Sequence, residues 1–241
     1  MLQAVSLILG AFVIIVTALG LLRAKTWWIR IWDFPRFQLA VAGIIALVAG
    51  GVSHGDAPAR LALFAVLAIA VLFQSTLVWR FSRFAPLEVE RSRSNEDGAR
   101  LALAVSNVLE SNRESDRVLA VMRAADADVM LFVETDDWWR ERLDALLTTH
   151  PHTVQCPLSN TYGMLLYSRL PLSGTSIDFL IEPDIPSIQA HVQLRNGEFV
   201  WLNCVHPRPP APGENDESQE RDAELLLVGK RVRDARQPVV V

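Results

Sequence analysis

Three polar side chains each close an apolar run in this sequence. Asn107 follows LALAVS, Glu134 follows VMLFV and His206 follows FVWLNCV. Short apolar runs of this kind are fit for buried strands. The carboxyl end of a strand in an α/β sheet is where ligands bind, because side chains converge there while the sheet stays rigid. A carboxylate so placed suits Mg²⁺ (or Mn²⁺), a hard ion that takes oxygen ligands and keeps several waters. An amide beside it can orient a phosphate or a water, and a histidine can donate to a phosphate oxygen or to a leaving group. Each residue also has a plainer role. Glu134 runs into Thr135-Asp136-Asp137, which can simply cap the next helix, and a lone histidine often serves only as a structural hydrogen-bonder. Both roles stay open on spacing alone.

The elements that must carry these residues follow from hydrophobic periodicity. Leu101 to Val105 predicts a buried strand, and Ser111-x-x-Glu114 predicts a capping box before a helix with Val118, Leu119, Met122 and Ala125 at helical spacing. Val129 to Val133 predicts a second strand and Asp136 to Leu147 a second amphipathic helix. Met164 to Tyr167, Ser187 to Leu194 and Glu198 to Val205 predict strands with no long helix between them. Ile188, Ala190, Val192 and Leu194 alternate with Gln189, His191, Gln193 and Arg195, the period-two pattern of a half-buried strand. Asn196-Gly197 then marks a hairpin turn. His191 falls on the polar face and is expected at the surface. A polar, proline-rich loop from Pro207 to Gly213 leads to a predicted helix from Ser218 to about Arg233, with Ala223, Leu226 and Leu227 on one face. Pro238-Val-Val-Val241 reads as the start of one more buried strand. The result is a mixed α/β domain of layered sheets.

The amino-terminal part has a different character. Three stretches lack any charge or nearly so, at about residues 4–22, 37–55 and 61–79. At about 1.5 Å rise per residue each is long enough to cross the roughly 30 Å hydrocarbon core of a bilayer. None shows the polar face of a soluble amphipathic helix. Three transmembrane helices are therefore expected, with residues 1–85 as an anchor, 86–99 as a polar linker and 100–241 as a soluble domain. The second span, with Gly50-Gly51 and His54, has the weakest signal. No basic residue precedes the first apolar run, which argues against a cleaved signal peptide. Arg23, Lys25, Arg30 and Arg36 lie between the first two spans with Trp27, Trp28 and Trp32, and Arg80 and Arg83 follow the third. Only Arg60 lies between the second and third. The positive-inside rule then puts the amino terminus outside and the soluble domain in the cytoplasm.

Charge divides sharply along the chain. Residues 1–85 carry seven Lys/Arg and two acids, whereas residues 86–241 carry sixteen and twenty-five. An acidic soluble domain is poorly suited to gripping nucleic acid through its phosphates, so DNA is disfavoured as a partner. Cys156 and Cys204 have no metal-like spacing, and one pair makes no disulfide framework.

The series SNVLESN, a helix, DADVMLFVETD, GMLLYSRLPL and a strand ending in HPRPP resembles the endonuclease/exonuclease/phosphatase superfamily. The match covers residues 101 to 241 in order. With three spans, the WW-containing loop, TYGMLLYSRLP and HPRPPAPGE, the chain is similar to the membrane-anchored bacterial branch. The resemblance implies a deoxyribonuclease-like four-layer α/β sandwich at a bacterial inner membrane. It implies Glu134 as the ligand of a divalent metal, Asn107 beside it on the scissile phosphate, and His206 on the phosphate or leaving group. Arg169 occupies the family's Ser-Arg position, where a phosphate contact and an ion pair fastening a strand edge are equally open. Tyr162 and Asn160, just before that strand, are expected to line the pocket. The implied reaction is metal-dependent hydrolysis of a phosphodiester or phosphomonoester by direct attack of water.

Two family segments do not occur among the 241 residues: Gly-Asp-x-Asn after a strand like PVVV, and Ser-Asp-His. The expectation is a sandwich whose carboxyl-terminal part is missing, as a piece of a longer product or a natural truncation, and inactive and marginally folded outside the membrane by itself. The competing expectation is a non-catalytic membrane scaffold that keeps the fold. A small phosphodiester or a lipid head group suits a tethered acidic domain better than DNA.

Overall fold

The computed structural model describes residues 2–22, 24–52, 58–89 and 96–241. Arg23, His54 with the predicted end of the second span, and residues 90–95 of the predicted linker lie outside them. The chain divides into two compact units, Met1–Ser92 with Pro210–Ser218, and Arg93–Pro209 with Gln219–Val241.

In the first unit, α1 spans Leu2–Leu21, α2 Trp27–Arg30, α3 Arg36–Val52 and α4 Pro58–Trp79. α1 and α4 are each long and apolar enough to cross a membrane. Among the described residues, α3 reaches that length together with Trp27–Asp33, from which it is bent by 74°, so the helices of this kind number two or three there. Small residues let the helices approach closely. A Cβ on Gly43 would overlap the Val71 side chain, and one on Gly50 would overlap the Phe64 ring and stand 2.7 Å from Ser6 Oγ. Val13, Ala46, Leu67 and Val71 fill the centre. Polar bonds stitch the same helices: Ser6 Oγ donates to the Ala46 carbonyl at 2.7 Å, and Gln74 Nε2 to Thr17 Oγ1 at 3.0 Å. Pro210–Ser218 belongs to this unit, where the Ser218 N–H donates to the Lys25 carbonyl at 2.9 Å.

Among its described residues the second unit holds eight strands: β1 Leu103–Asn107, β2 Val129–Val133, β3 His152–Cys156, β4 Met164–Ser168, β5 Leu172–Asp178, β6 Ser187–Gln193, β7 Phe199–Cys204 and β8 Val239–Val240. They form two four-stranded sheets, ordered β1-β2-β4-β3 and β5-β6-β7-β8. Their inner faces share one core, in which Val133, Met164 and Leu166 meet Ile188, Ala190, Val192 and Leu202. Helices α5 (Ser115–Ala124) and α6 (Asp137–Leu143) cover the outer face of the first sheet, burying Leu119, Met122, Trp139 and Leu143 against Met130, Phe132 and Tyr167. Helix α7 (Gln219–Arg233) covers the second sheet, with Arg231 paired to Asp178 of β5 at 3.6 Å. The domain is thus a four-layer α/β sandwich.

Several local expectations change. The first strand lies two residues further along than predicted. Ser111 caps nothing: α5 starts at Ser115, because Asn112 Oδ1 accepts the Glu114 N–H at 3.1 Å and holds the preceding loop in a turn. Strands β3 and β5 carry no clear apolar alternation and become strands by pairing with β4 and β6. Helix α7 buries Glu224 and Val228, not the predicted stripe, and Leu226 is 65% exposed. His191 is half-buried, stacked on Trp201 with centroids 6.0 Å apart. Both cysteines are free thiols, and burial pushes that of Cys204 up to about 12.

Candidate active site

β1 and β2 are parallel neighbours in which Asn107 pairs with Val133. This register sets Asn107 beside the residue after β2, Glu134. The Asn107 Nδ2 amide donates to Glu134 Oε1 in a short hydrogen bond, while its Oδ1 accepts the Leu109 N–H at 2.9 Å. The amide orientation is therefore set from both sides. Glu134 adopts a left-handed backbone, φ +61°, as do Leu109 (φ +59°) and Thr161 (φ +69°) in the adjoining loops. For a side chain with a Cβ this costs about 1–2 kcal/mol per residue, and such strain persists where the surroundings over-determine it.

The surroundings here are specific. The Thr135 N–H donates to the Gly163 carbonyl at 3.1 Å and the Leu158 N–H to the Thr135 carbonyl at 3.0 Å. A Cβ on Gly163 would overlap the Thr135 carbonyl oxygen and stand 2.5 Å from the Leu158 nitrogen. Only glycine lets the loop before β4 press against the backbone that follows Glu134. On the other side, Arg113 grips Asp136 with both guanidinium nitrogens, at 3.1 and 2.7 Å, and lies 4.6 Å over the Trp138 ring. Asp136 also caps α6 by accepting the Trp139 N–H at 2.9 Å. The hydrogen bond from Arg113 holds the Asp136 carboxyl below the usual carboxylate range against the opposing effect of burial. The loops bearing Asn107 and Glu134 are thereby tied together.

His206, just beyond β7 in the second sheet, brings Nε2 to 3.6 Å from Glu134 Oε1. Its ring stands 5.7 Å from that of Tyr162, and the Arg208 guanidinium lies 4.9 Å over the same tyrosine. Arg208 pairs with Glu182 at 3.3 Å and Asp184 at 3.0 Å. Behind Glu182 lies Glu224 of α7, a buried carboxyl that desolvation, with the charge of Glu182, raises to about 7.

Asn107, Glu134, His206 and Tyr162 thus come together at one end of the sandwich. Asn160 lies in the adjoining loop, but its amide is engaged within it, donating to the Asp184 carbonyl at 2.8 Å and accepting the Tyr162 N–H at 3.1 Å. Arg169 is elsewhere. Ser168 pairs with Val129, at the amino end of β2, so Arg169 emerges opposite Glu134. It binds Asp126 at 2.7 Å and stands 3.9 Å from Asp128, which Arg195 also grips. The strand-edge ion pair is what the structure contains at Arg169, and the phosphate contact lacks the geometry.

Sequence reasoning missed Arg113, Glu182, Asp184, Arg208 and Glu110, whose Oε2 accepts the Thr161 N–H at 2.7 Å. Only Arg208, two residues past His206, carried a local signal.

Among the described residues no group of three or more His, Cys, Asp or Glu side chains is arranged around a common metal position. One carboxylate, Glu134, is present with an amide and an imidazole beside it. That donor set fits an ion such as Mg²⁺, which binds through one or two carboxylates and otherwise keeps water and substrate phosphate. It does not fit a closed, all-protein cage.

The sequence profile of the Endonuclease/Exonuclease/phosphatase family matches residues 104–241. Similar solved structures include a humanized TDP2 of D. rerio, at 15% identity and TM-score 0.49, covering 58% of this chain and 58% of that one. An endonuclease/exonuclease/phosphatase from Beutenbergia cavernae has 21% identity and TM-score 0.46, with 58% of this chain and 45% of that one covered. One from Bacteroides vulgatus has 13% identity and TM-score 0.45, with 56% and 60% covered. The chain spans less than two thirds of the length of these proteins. No curated protein matches the sequence.

Proposed function

Because the chain belongs to the endonuclease/exonuclease/phosphatase family, whose members act on phosphoester bonds, we propose that it is a membrane-tethered, divalent-metal-dependent phosphoesterase. The observation that carries this is the meeting of Asn107, Glu134 and His206 from three strand ends in two sheets. The left-handed backbone of Glu134 beside His206 supports this reading, since strained conformations cluster at functional sites.

Glu134 would hold the ion, Mg²⁺ or Mn²⁺, which when bound neutralises charge on the phosphoryl oxygens. Asn107, its amide pinned by the Leu109 N–H and by Glu134, would direct its remaining N–H at a phosphoryl oxygen. His206 Nε2 would donate to a phosphate oxygen or to the leaving oxygen. Tyr162, clamped under Arg208, would form the wall beside His206. The attacking group is water.

Localisation follows from the apolar helices. α1, α3 and α4 would be embedded in a bacterial inner membrane, with Lys25, Arg30, Arg36, Arg80 and Arg83 on the cytoplasmic side together with the soluble domain. The acidic soluble part supports a small phosphodiester or a lipid head group over DNA.

The test is hydrolysis of bis-p-nitrophenyl phosphate, phospholipid and plasmid DNA by the membrane-bound protein. The expected result is cleavage of the first two in Mg²⁺, lost with EDTA and reduced at least about 100-fold by E134Q. Activity indifferent to E134Q would overturn the site, and rapid DNA cleavage would overturn the substrate class. Absence of any turnover would favour the non-catalytic scaffold.

A further inference from the structure

The first unit contains a cleft of about 470 Å³ between the start of α3 and the end of α4, lined among others by Asp33, Phe34, Arg36, Phe37, Leu77, Arg80 and Phe81. Its walls combine two guanidinium groups with three phenylalanines that stay open to the surroundings. Phe34 is 77% exposed, Phe37 62% and Phe81 90%. In water such a concentration of open aromatic surface is costly. At the end of two apolar helices it lies where a bilayer passes from acyl chains to head groups, the level that aromatic and basic side chains favour.

The charges differ in how firmly they are held. Arg36 is tied down: it forms a short ion pair with Asp33 and donates to Gln74 Oε1 at 3.3 Å, and Gln74 in turn bonds Thr17 inside the helix bundle. Asp33 also pairs with Arg30 at 3.2 Å, so the two arginines and one carboxylate keep a net positive charge. Arg80 pairs with Glu88 at 3.0 Å, but both side chains are about 70% exposed, 68% and 70%. A pair so open is worth at most about 1 kcal/mol and gives way to a better anion. Arg80 is therefore the exchangeable cation of the cleft, Arg36 a fixed second donor, and Phe37, Leu77 and Phe81 the apolar wall below them.

We infer that this cleft is a binding site for an anionic phospholipid, whose phosphate is taken by Arg80 and Arg36 and whose acyl chain lies along Phe37, Leu77 and Phe81. Basic pockets between helices at the membrane surface take such head groups, and each exchangeable cation near the surface favours them about five-fold. The site is separate from the Glu134 cluster, and it rests on the reading of this unit as membrane-embedded.

The experiment takes the membrane-bound protein, releases it in mild detergent with equal phosphatidylglycerol and phosphatidylcholine, and measures retained lipid by native mass spectrometry. The expected result is about five-fold more phosphatidylglycerol than phosphatidylcholine, falling to near parity in R80Q and kept in R80K. Equal retention of the two lipids by the unaltered protein, or a preference that survives R80Q, would overturn the site. Displacement of the phosphatidylglycerol by inorganic phosphate alone would show a free-anion site and overturn the lipid. Alkaline carbonate extraction separates the premises: release of the protein from membranes would remove the embedded reading itself, whereas retention with no lipid preference removes only the site.

Discussion

The Asn107 amide donates to a Glu134 carboxylate that projects from a left-handed backbone, φ +61°. β1 and β2 run parallel in register, so the two side chains leave adjacent strand ends together, and the unusual φ turns Glu134 toward its neighbour instead of along the strand. Strain and contact arise at the same residue.

That strain is measurable. E134A and E134G both remove the carboxylate and its bond to Asn107, but only glycine is at ease at positive φ. E134G is expected to be more stable than E134A by about 1 kcal/mol in urea unfolding of the protein in detergent. Equal stability of the two variants would show that the left-handed conformation carries no cost here.

Gly163 should be intolerant of the smallest change. A Cβ there overlaps the Thr135 carbonyl oxygen, a backbone atom that cannot move without breaking the Thr135–Gly163 and Leu158–Thr135 hydrogen bonds. G163A is expected to cost about 3 kcal/mol, seen as a lowered Tm and faster proteolysis near residues 158–163.

Glu224 makes stability depend on pH. Its folded-state carboxyl is raised to about 7 by burial and by Glu182, above the unfolded value near 4.3. Its contribution is thus fully present below about pH 4 and lost as pH rises through about 7. E224Q should match the unaltered protein at pH 4 and exceed it by roughly 3 kcal/mol at pH 8. Parallel pH profiles in denaturant titrations would count against a neutral Glu224.

Arg169 and His206 should separate stability from chemistry. R169Q loses a partly exposed ion pair at the far end of the sheet and is expected to cost under about 1 kcal/mol and leave kcat/KM within about two-fold. H206A, at the Glu134 end, is expected to lower kcat/KM by about 100-fold or more. A large catalytic defect in R169Q would place phosphate where the fold puts Asp126.

What the sequence by itself determined are the features that depend on a residue's immediate neighbours. Uninterrupted apolar runs mark α1 and α4, whose length and hydrophobicity are local properties. The strand β2 coincides with VMLFV because burial on both faces leaves no polar position. The strand β6 is legible because Ile188, Ala190 and Val192 face the core while Gln189, His191 and Gln193 do not. Asn107, Glu134 and His206 were visible as polar residues ending such runs.

Tertiary structure decided the rest. β3 and β5 exist because partners complete their hydrogen bonds, a non-local demand that composition does not carry. α7 packs on the second sheet with Arg231 set 3.6 Å from Asp178, more than fifty residues away. Arg169 and Glu134 part company because β4 runs antiparallel to β2, so a residue after one strand and a residue after the other emerge at opposite ends. Asn107 and Glu134 meet because β1 and β2 run parallel. Spacing along a chain tells which residues end strands; strand direction, set only when the sheet closes, tells which ends are the same end.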